Sequence, residues 1–339
     1  MPAERAGDRS WQNAVRLIAG ATVLRILVAA ALPLVPDEAY YWLWSQHLAA
    51  GYFDHPPGIA LAIHAGTLLM GASRLGVRIG PILAGTLAAL AVAATARRLG
   101  GSRAALRAAV VMTVLPLAAA GLVLATPDAP LLAWYACTLY AVVRALQAPP
   151  RSRESLLWWA VAGVALGLTF CSKYTSILLP VGVLVALATH RELRPRLREP
   201  GPYLSAVIAT LVFSPVLLWN ARHEWISFTF QLRHGLSPAR GSLLHTALKF
   251  EGELFGGQLG LASPILFVMM AIAVVCALRR RSPLEWLLAV VSVVVFALFV
   301  YSALHKRVEA NWPAPAYVSA IALLCITDWG IRGRRWLVG

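Results

Sequence analysis

The chain has 339 residues, of which 59% are hydrophobic and only 13% charged. A soluble globular domain is about 45–50% apolar and about 25% charged, so the bilayer must solvate much of this chain. A net charge of +15 would suggest nucleic acid in a soluble protein. Here the basic residues fall in short clusters between apolar runs, as in cytoplasmic loops of membrane proteins, and nucleic-acid binding is set aside.

Apolar runs bounded by charge or by Gly and Pro predict an all-α polytopic protein with ten membrane-crossing helices. They fall at 14–35, 79–96, 108–124, 130–146, 156–172, 174–189, 203–219, 261–278, 286–301 and 313–327. A crossing takes about 20 residues, so the shorter runs are expected to extend into their flanks. The first run has no small-residue cleavage site behind it and is expected to be retained. Residues 58–71 form an apolar stretch of 14 residues, about 21 Å at about 1.5 Å per residue. That suits an interfacial or re-entrant helix better than a crossing.

Charge parity supports leaving 58–71 out. Nineteen basic residues then face one side, in clusters such as Arg97–Arg98, Arg191–Arg198 and Arg279–Arg281, and nine face the other. Counting 58–71 as a crossing would invert every later loop and export the Arg clusters, against the positive-inside rule. Both termini are therefore expected in the cytoplasm. Segments 36–78, 220–260 and 302–312, with the tight turns at 125–129 and 172–174, are expected on the outer face. No repeat is visible, and 1–339 reads as a single transmembrane domain without a C-terminal soluble domain. Cys137, Cys171, Cys276 and Cys325 lie in apolar runs and form no CxxC, which makes them packing residues.

The outer segments gather the residues that could do chemistry. After the first span comes PDEAYYWLWSQHLAAGYFDHPP. Pro36 ends the span and Asp37 begins a helix of about 12 residues, seated by its aromatic residues at the headgroup level. Asp37, Tyr41 and Trp44 share one side of it. Asp37 also suits a helix cap and Glu38 a first-turn acid, yet two adjacent carboxylates at the hydrocarbon edge exceed what capping requires. Asp54 and His55 follow, and the Pro pair fixes a turn aiming them back toward that helix.

Asp128, in ATPDAPLL, fits an N-cap with Pro130 just inside, which leaves a second role open. Lys173, in FCSKYTS, is an ionisable group between apolar runs: a functional candidate by default, or a snorkelling lysine. Arg25 lies in mid-span and needs a partner within the bundle. Arg222, His223, Arg233 and His234 interleave with aromatics, which suits an interfacial segment or cations facing a phosphate. The last outer turn, HKRVEANWPAPAY, carries Lys306, Arg307, Glu309, Asn311 and Trp312.

The motifs PDEAYYWLWSQHL…GYFDHPP, TPDAPLLAWY, SKYTSILLP and KRVEANWPAPAY resemble bacterial members of glycosyltransferase family 39, the dolichyl-phosphate-mannose–protein mannosyltransferase-like enzymes. They are more distantly similar to the lipid A aminoarabinose transferases. Both belong to the GT-C class of integral membrane glycosyltransferases. The resemblance runs from about residue 14 to about residue 325. It implies a GT-C-like bundle with interfacial helices in the first outer loop, in a bacterial inner membrane. It also implies sugar transfer from a polyprenyl-phosphate donor to a lipid, glycan or protein acceptor on the outer face, with inversion at the anomeric carbon.

The resemblance matches Asp37 to the main catalytic carboxylate, with Glu38 beside it and Asp128 as a second acidic position. FDHPP is similar to the FEKPP segment of the aminoarabinose transferases. Asp54 then lines the site and His55 stands where a lysine contacts donor phosphate. Lys173 matches a lysine of the family's TKG-like turn. The expected roles follow: Asp37 as base or acceptor-positioning group, assisted by Asp54 or Asp128. Lys173, His55 and one of Arg233, Lys306 or Arg307 stabilise the leaving phosphate. Tyr41, Glu309, Asn311 and Trp312 contact sugar or acceptor. A magnesium or manganese ion is compatible with this chemistry, though no ligand spacing demands one.

Three other readings compete, one of them a catalytically dead binding or scaffold subunit. A secondary transporter would place ionisable groups near the midplane in repeated halves, and would show flux without glycosyl product. A lipid-linked glycan polymerase or ligase shares the donor type but not the first-loop acidic pair.

Overall fold

The computed structural model describes residues 2–236 and 243–330, with side chains at 9–233 and 247–330. The described chain is helical: α1 Pro2–Ala31, α2 Pro36–Gln46, α3 Gly58–Met70, α4 Arg74–Val114, α5 Pro116–Gly121, α6 Asp128–Gln147 and α7 Arg153–Phe170. After a 3₁₀ turn at Tyr174–Ile177 come α8 Leu178–Thr189, α9 Pro200–Arg222, α10 Ile226–Leu236, α11 Leu243–Ala262, α12 Pro264–Arg280, α13 Pro283–Ala303 and α14 Ala314–Ile326.

Among the described residues, five helices are long and apolar enough to cross a membrane: Arg9–Ala31, α4, α6, α9 and α13. A sixth crossing arises if the pair Ala247–Ala262 and Pro264–Arg280, bent by 102°, is one span. The ten predicted crossings therefore reduce to five or six on length and composition. Three shorter apolar helices lie at Gly58–Met70, Tyr174–Thr189 and Ala314–Ile326. The difference has identifiable causes. The run at 79–96 and the first part of 108–124, up to Val114, fall within one 41-residue helix, broken where Gly101 takes φ +78°. Glycine is the residue for that backbone region. Residues 58–71, left out of the count, form the 13-residue α3.

The core is built around α14, whose residues from Ala314 to Cys325 are all buried. It packs against α4, α6, α12 and α13. Its alanines and Ser319 let neighbouring backbones approach, the usual basis of helix association in lipid. Around it run the pairs α1–α4, α4–α6, α6–α7, α7–α9 and α8–α13. The exposed faces of α1 and α9 are apolar, with Leu24, Leu27, Val207 and Leu211 outward.

Arg25 finds its partner at the α4–α5 break. Its guanidinium donates to the carbonyls of Met112, at 3.3 Å, and Ala118, at 3.2 Å. Pro116 has no N–H to offer the carbonyl of Met112 four residues earlier, so the arginine supplies the missing donor.

Candidate active site

At one end of the bundle, a cavity of about 990 Å³ lies among α2, the 54–55 turn, the start of α6, the 173–178 turn, α9, α10, α13 and residues 309–312. Helix bodies give it an apolar wall of Phe170, Phe213, Phe228, Phe230, Leu298 and Phe299. Helix ends and turns give it Asp37, Tyr41, Asp54, His55, Asp128, Lys173, Glu309, Asn311 and Trp312.

The acidic pair is divided between two environments. Val35 is extended before α2, and Pro36 takes the first helical position, where a missing N–H is harmless. Glu38, third in the helix, turns back to accept the Val35 N–H at 3.0 Å, the glutamate half of a capping box. It also accepts the Ala125 N–H at 2.9 Å. Arg78 of α4 donates to its two oxygens at 2.7 and 2.6 Å. The other Arg78 donors reach the carbonyls of Ala29, Leu32 and Pro33. Burial pushes the Glu38 carboxyl up, but the hydrogen bonds from Arg78, Ala125 and Val35 and the Arg78 charge outweigh it, holding the group below its ordinary 4.5.

Glu38 is fully buried and stands outside the cavity. The expectation that Glu38 stands beside Asp37 in the catalytic group is corrected on that ground: only Asp37 of the pair lines the cavity. Asp37 is exposed to it, and its carboxylate makes no hydrogen bond or ion pair among the described residues. The N-terminal position expected of Asp37 as a cap is taken by Val35.

Asp128 and Lys173 form a buried ion pair at 2.7 Å. Asp128 opens α6 without capping it through its side chain. Its second oxygen accepts from the Asn311 amide at 2.6 Å. Three separate sequence motifs thus converge on one carboxylate. Tyr41 lies among the acids: burial pushes its hydroxyl well above the ordinary range, and the charges of Asp54, Asp37 and Asp128 push it further. It therefore stays protonated and can donate a hydrogen bond. Its ring centroid lies 6.1 Å from that of His55.

The remaining predicted cations lie outside the cavity wall. Arg233 is exposed on α10. His234 is outside the residues with described side chains. Lys306 sits over the Trp312 ring, 5.1 Å from its centroid, and burial lowers its pKa. Arg307 is exposed and pairs at 3.7 Å with both Glu253 and Glu309. Of the predicted phosphate contacts, Lys173 and His55 alone line the cavity. Among the described residues no three His, Cys, Asp or Glu side chains converge as a metal-ligand set.

Sequence reasoning missed Arg78 and Gln231. Arg78 carries a weak signal, one of two arginines in the first five residues of an apolar helix, and enters the charge count only as one of the nine outer basic residues. Gln231 had none, because an uncharged residue on a short interfacial helix does not stand out.

Three comparisons with known proteins bear on this geometry. Residues 54–219 match the profile of the family described as dolichyl-phosphate-mannose-protein mannosyltransferase. The lipid A galacturonosyltransferase RgtD of Rhizobium johnstonii is 31% identical over 319 residues, 93% of this chain and 65% of RgtD. The lipopolysaccharide core galacturonosyltransferase RgtB of the same organism is 31% identical over 80 residues, 24% of this chain and 15% of RgtB. The chain thus spans just under two thirds of RgtD. Among solved structures, ArnT from Cupriavidus metallidurans bound to undecaprenyl phosphate superposes with a TM-score of 0.72 at 21% identity, over 96% of this chain and 62% of that one. The Saccharomyces cerevisiae Pmt1–Pmt2 complex bound to its sugar donor gives 0.51 at 18% identity, over 65% and 34%. These likenesses establish an ArnT-like fold of the GT-C type.

Proposed function

Starting from a chain whose residues 54–219 match the profile of the dolichyl-phosphate-mannose-protein mannosyltransferase family, we propose that it transfers a sugar from a polyprenyl-phosphate donor to a lipid-borne acceptor. The observation that carries this reading is one cavity that combines the unengaged Asp37, the Asp128–Lys173 pair and a wall of aromatic and aliphatic side chains. A lipid phosphate needs all three: an apolar channel for its chain, a cation for its phosphate, and a base beside the anomeric carbon. The likeness to RgtD makes a galacturonosyl donor and lipid A the first pair to assay.

The reaction would proceed by single displacement. The acceptor hydroxyl oxygen attacks the anomeric carbon as its proton passes to Asp37. The bond from that carbon to the phosphate oxygen breaks with inversion, and polyprenyl phosphate leaves with the electron pair. Lys173, held by Asp128, and His55 offset the charge that develops on the phosphate, usually a large term in catalysis. Tyr41 and Asn311 orient the hydroxyls of sugar or acceptor. Glu38 acts at one remove, fixing the start of α2 and the 125–128 turn to each other.

The site end would face the periplasm of a bacterial inner membrane, with the Arg clusters and both termini in the cytoplasm. The break at Gly101 and the apolar α8 and α14 support a count above the five long helices. Transfer of labelled sugar from undecaprenyl-phosphate donors to lipid A in proteoliposomes tests the proposal. Asp37→Asn should lower the rate by about 10²–10⁴-fold, the usual share of a general base. Wild-type rates from that variant would remove Asp37 from the chemistry. Flux of substrate without glycosyl product would favour a transporter.

A further inference from the structure

The turn that brings Asp54 and His55 to the cavity is closed by one backbone bond of its own, from the Tyr52 N–H to the His55 carbonyl at 3.1 Å. Residues 52–57 form no helix, and Pro56 and Pro57 have no backbone N–H with which to anchor it. Its downstream end is pinned: the Gly58 N–H donates to the Cys171 carbonyl at 2.7 Å, beside Lys173. A side chain at Gly58 would meet that carbonyl and Ser172. Upstream, the Tyr52 ring stacks on Trp44 at 4.3 Å.

Between these two points the turn is gripped by α10. The Ser227 hydroxyl donates to the Tyr52 carbonyl. The Phe230 ring lies 4.7 Å from that of Phe53. The Gln231 amide nitrogen donates to the Asp54 carbonyl at 2.6 Å. Ser227, Phe230 and Gln231 are spaced i, i+3, i+4, so one face of α10 reads three consecutive residues of the turn. Gln231 also lines the cavity, between Phe230 and Leu232.

We propose that Gln231 is a positioning residue for the donor site, holding Asp54 and His55 at the cavity through its bond to the Asp54 backbone. The Tyr52–His55 bond holds the local bend, and the Tyr40 hydroxyl reaches the Asp54 carboxylate at 3.4 Å, but neither fixes how α10 meets the turn. A side-chain bond to its middle carbonyl removes the rotation that would swing both side chains out together. The phenylalanine contact alone does not do this, because ring packing tolerates sliding along the strap while a hydrogen bond to one carbonyl does not. The assignment rests on the reading of the cavity as a donor site.

Gln231→Met keeps length and bulk and removes the donor. Loss of one such bond should raise the donor KM about tenfold in the proteoliposome assay. A merely destabilising change would reduce the amount of active enzyme, and so kcat, while leaving donor KM alone. A direct readout avoids the assay altogether. In nanodisc protein carrying ¹⁵N-labelled histidine, the His55 resonances, assigned by their loss in His55→Gln, should shift in Gln231→Met. Those of His190, bonded to the Arg281 carbonyl at the opposite end of the bundle, should stay in place.

Should the methionine variant not fold, Gln231→Glu keeps size and polarity but turns an acceptor toward the carbonyl, and the same shift is expected. Unmoved His55 resonances in the folded variant would overturn the proposal, as would an unchanged donor KM in an active one. If wild type transfers no sugar, the functional reading fails, while the resonance shift still decides whether Gln231 positions the turn.

Discussion

Asp37 and Glu38 share a peptide bond and little else. A helix that starts at Pro36 rotates successive side chains by about 100°, which sends Glu38 back over the helix start and leaves Asp37 toward the cavity. Removing one partner from a buried pair such as Glu38–Arg78 costs about 3–5 kcal/mol, because the other charge is left uncompensated. Arg78→Leu should therefore lower the unfolding midpoint sharply at pH 7. The sign with pH follows from the depressed Glu38 carboxyl. In wild type, its contribution is complete above the ordinary value of 4.5 and is lost as pH falls through the lower folded value. In Arg78→Leu, the buried carboxyl has no cation and favours its protonated form, so the deficit against wild type should shrink on acidification. A deficit that is flat from pH 8 to pH 4 would contradict this account. At Lys173, the ion pair to Asp128 places the ammonium in the cavity wall. Lys173→Ala should weaken donor binding more than it slows the bound complex, read as a rise in donor KM exceeding the fall in kcat.

At the scale of elements, α3 and α4 meet backbone to backbone. A side chain at Gly80 would run into the Ala62 carbonyl and its α-carbon, and one at Gly66 into the Gly76 carbonyl. Backbone cannot move aside as a flexible side chain can. Gly80→Ala should therefore push α3 off α4, and with it the 54–57 turn that leads into α3. Overpacking of this kind costs about 1–3 kcal/mol. The expected outcome is a lower thermal midpoint together with reduced transfer. Gly252→Ala on α11, where nothing lies within 4 Å, serves as the neutral comparison. Equal midpoints for the two variants would refute the close approach.

At the scale of the whole molecule, charge asymmetry and the position of the cavity make one prediction. In a background without the native cysteines, Leu48→Cys on the α2–α3 segment should react with a membrane-impermeant maleimide in intact cells. Arg151→Cys, between α6 and α7, should react only after permeabilisation. Both positions are exposed in the structure. The reverse pattern would invert the proposed orientation.

The sequence by itself determined what solvates this protein and where its charges fall, since hydropathy and charge are sums over neighbouring residues and need no knowledge of the fold. For the same reason Asp37, Asp54, His55, Asp128, Lys173, Asn311 and Trp312 could be picked out, each in a polar interruption of an apolar run. The helix count was less legible. A break at one glycine and a bend at Ser263 depend on backbone angles that composition does not record. Pairing was decided only by the tertiary structure. Arg78 reaches Glu38 across 40 residues, Asn311 reaches Asp128 across 183, and Gln231 reaches Asp54 across 177. A buried charge or amide acquires its role from the partner that compensates it, and that partner is chosen by how the helices pack. Packing made Glu38 a clamp and left Asp37 facing the cavity.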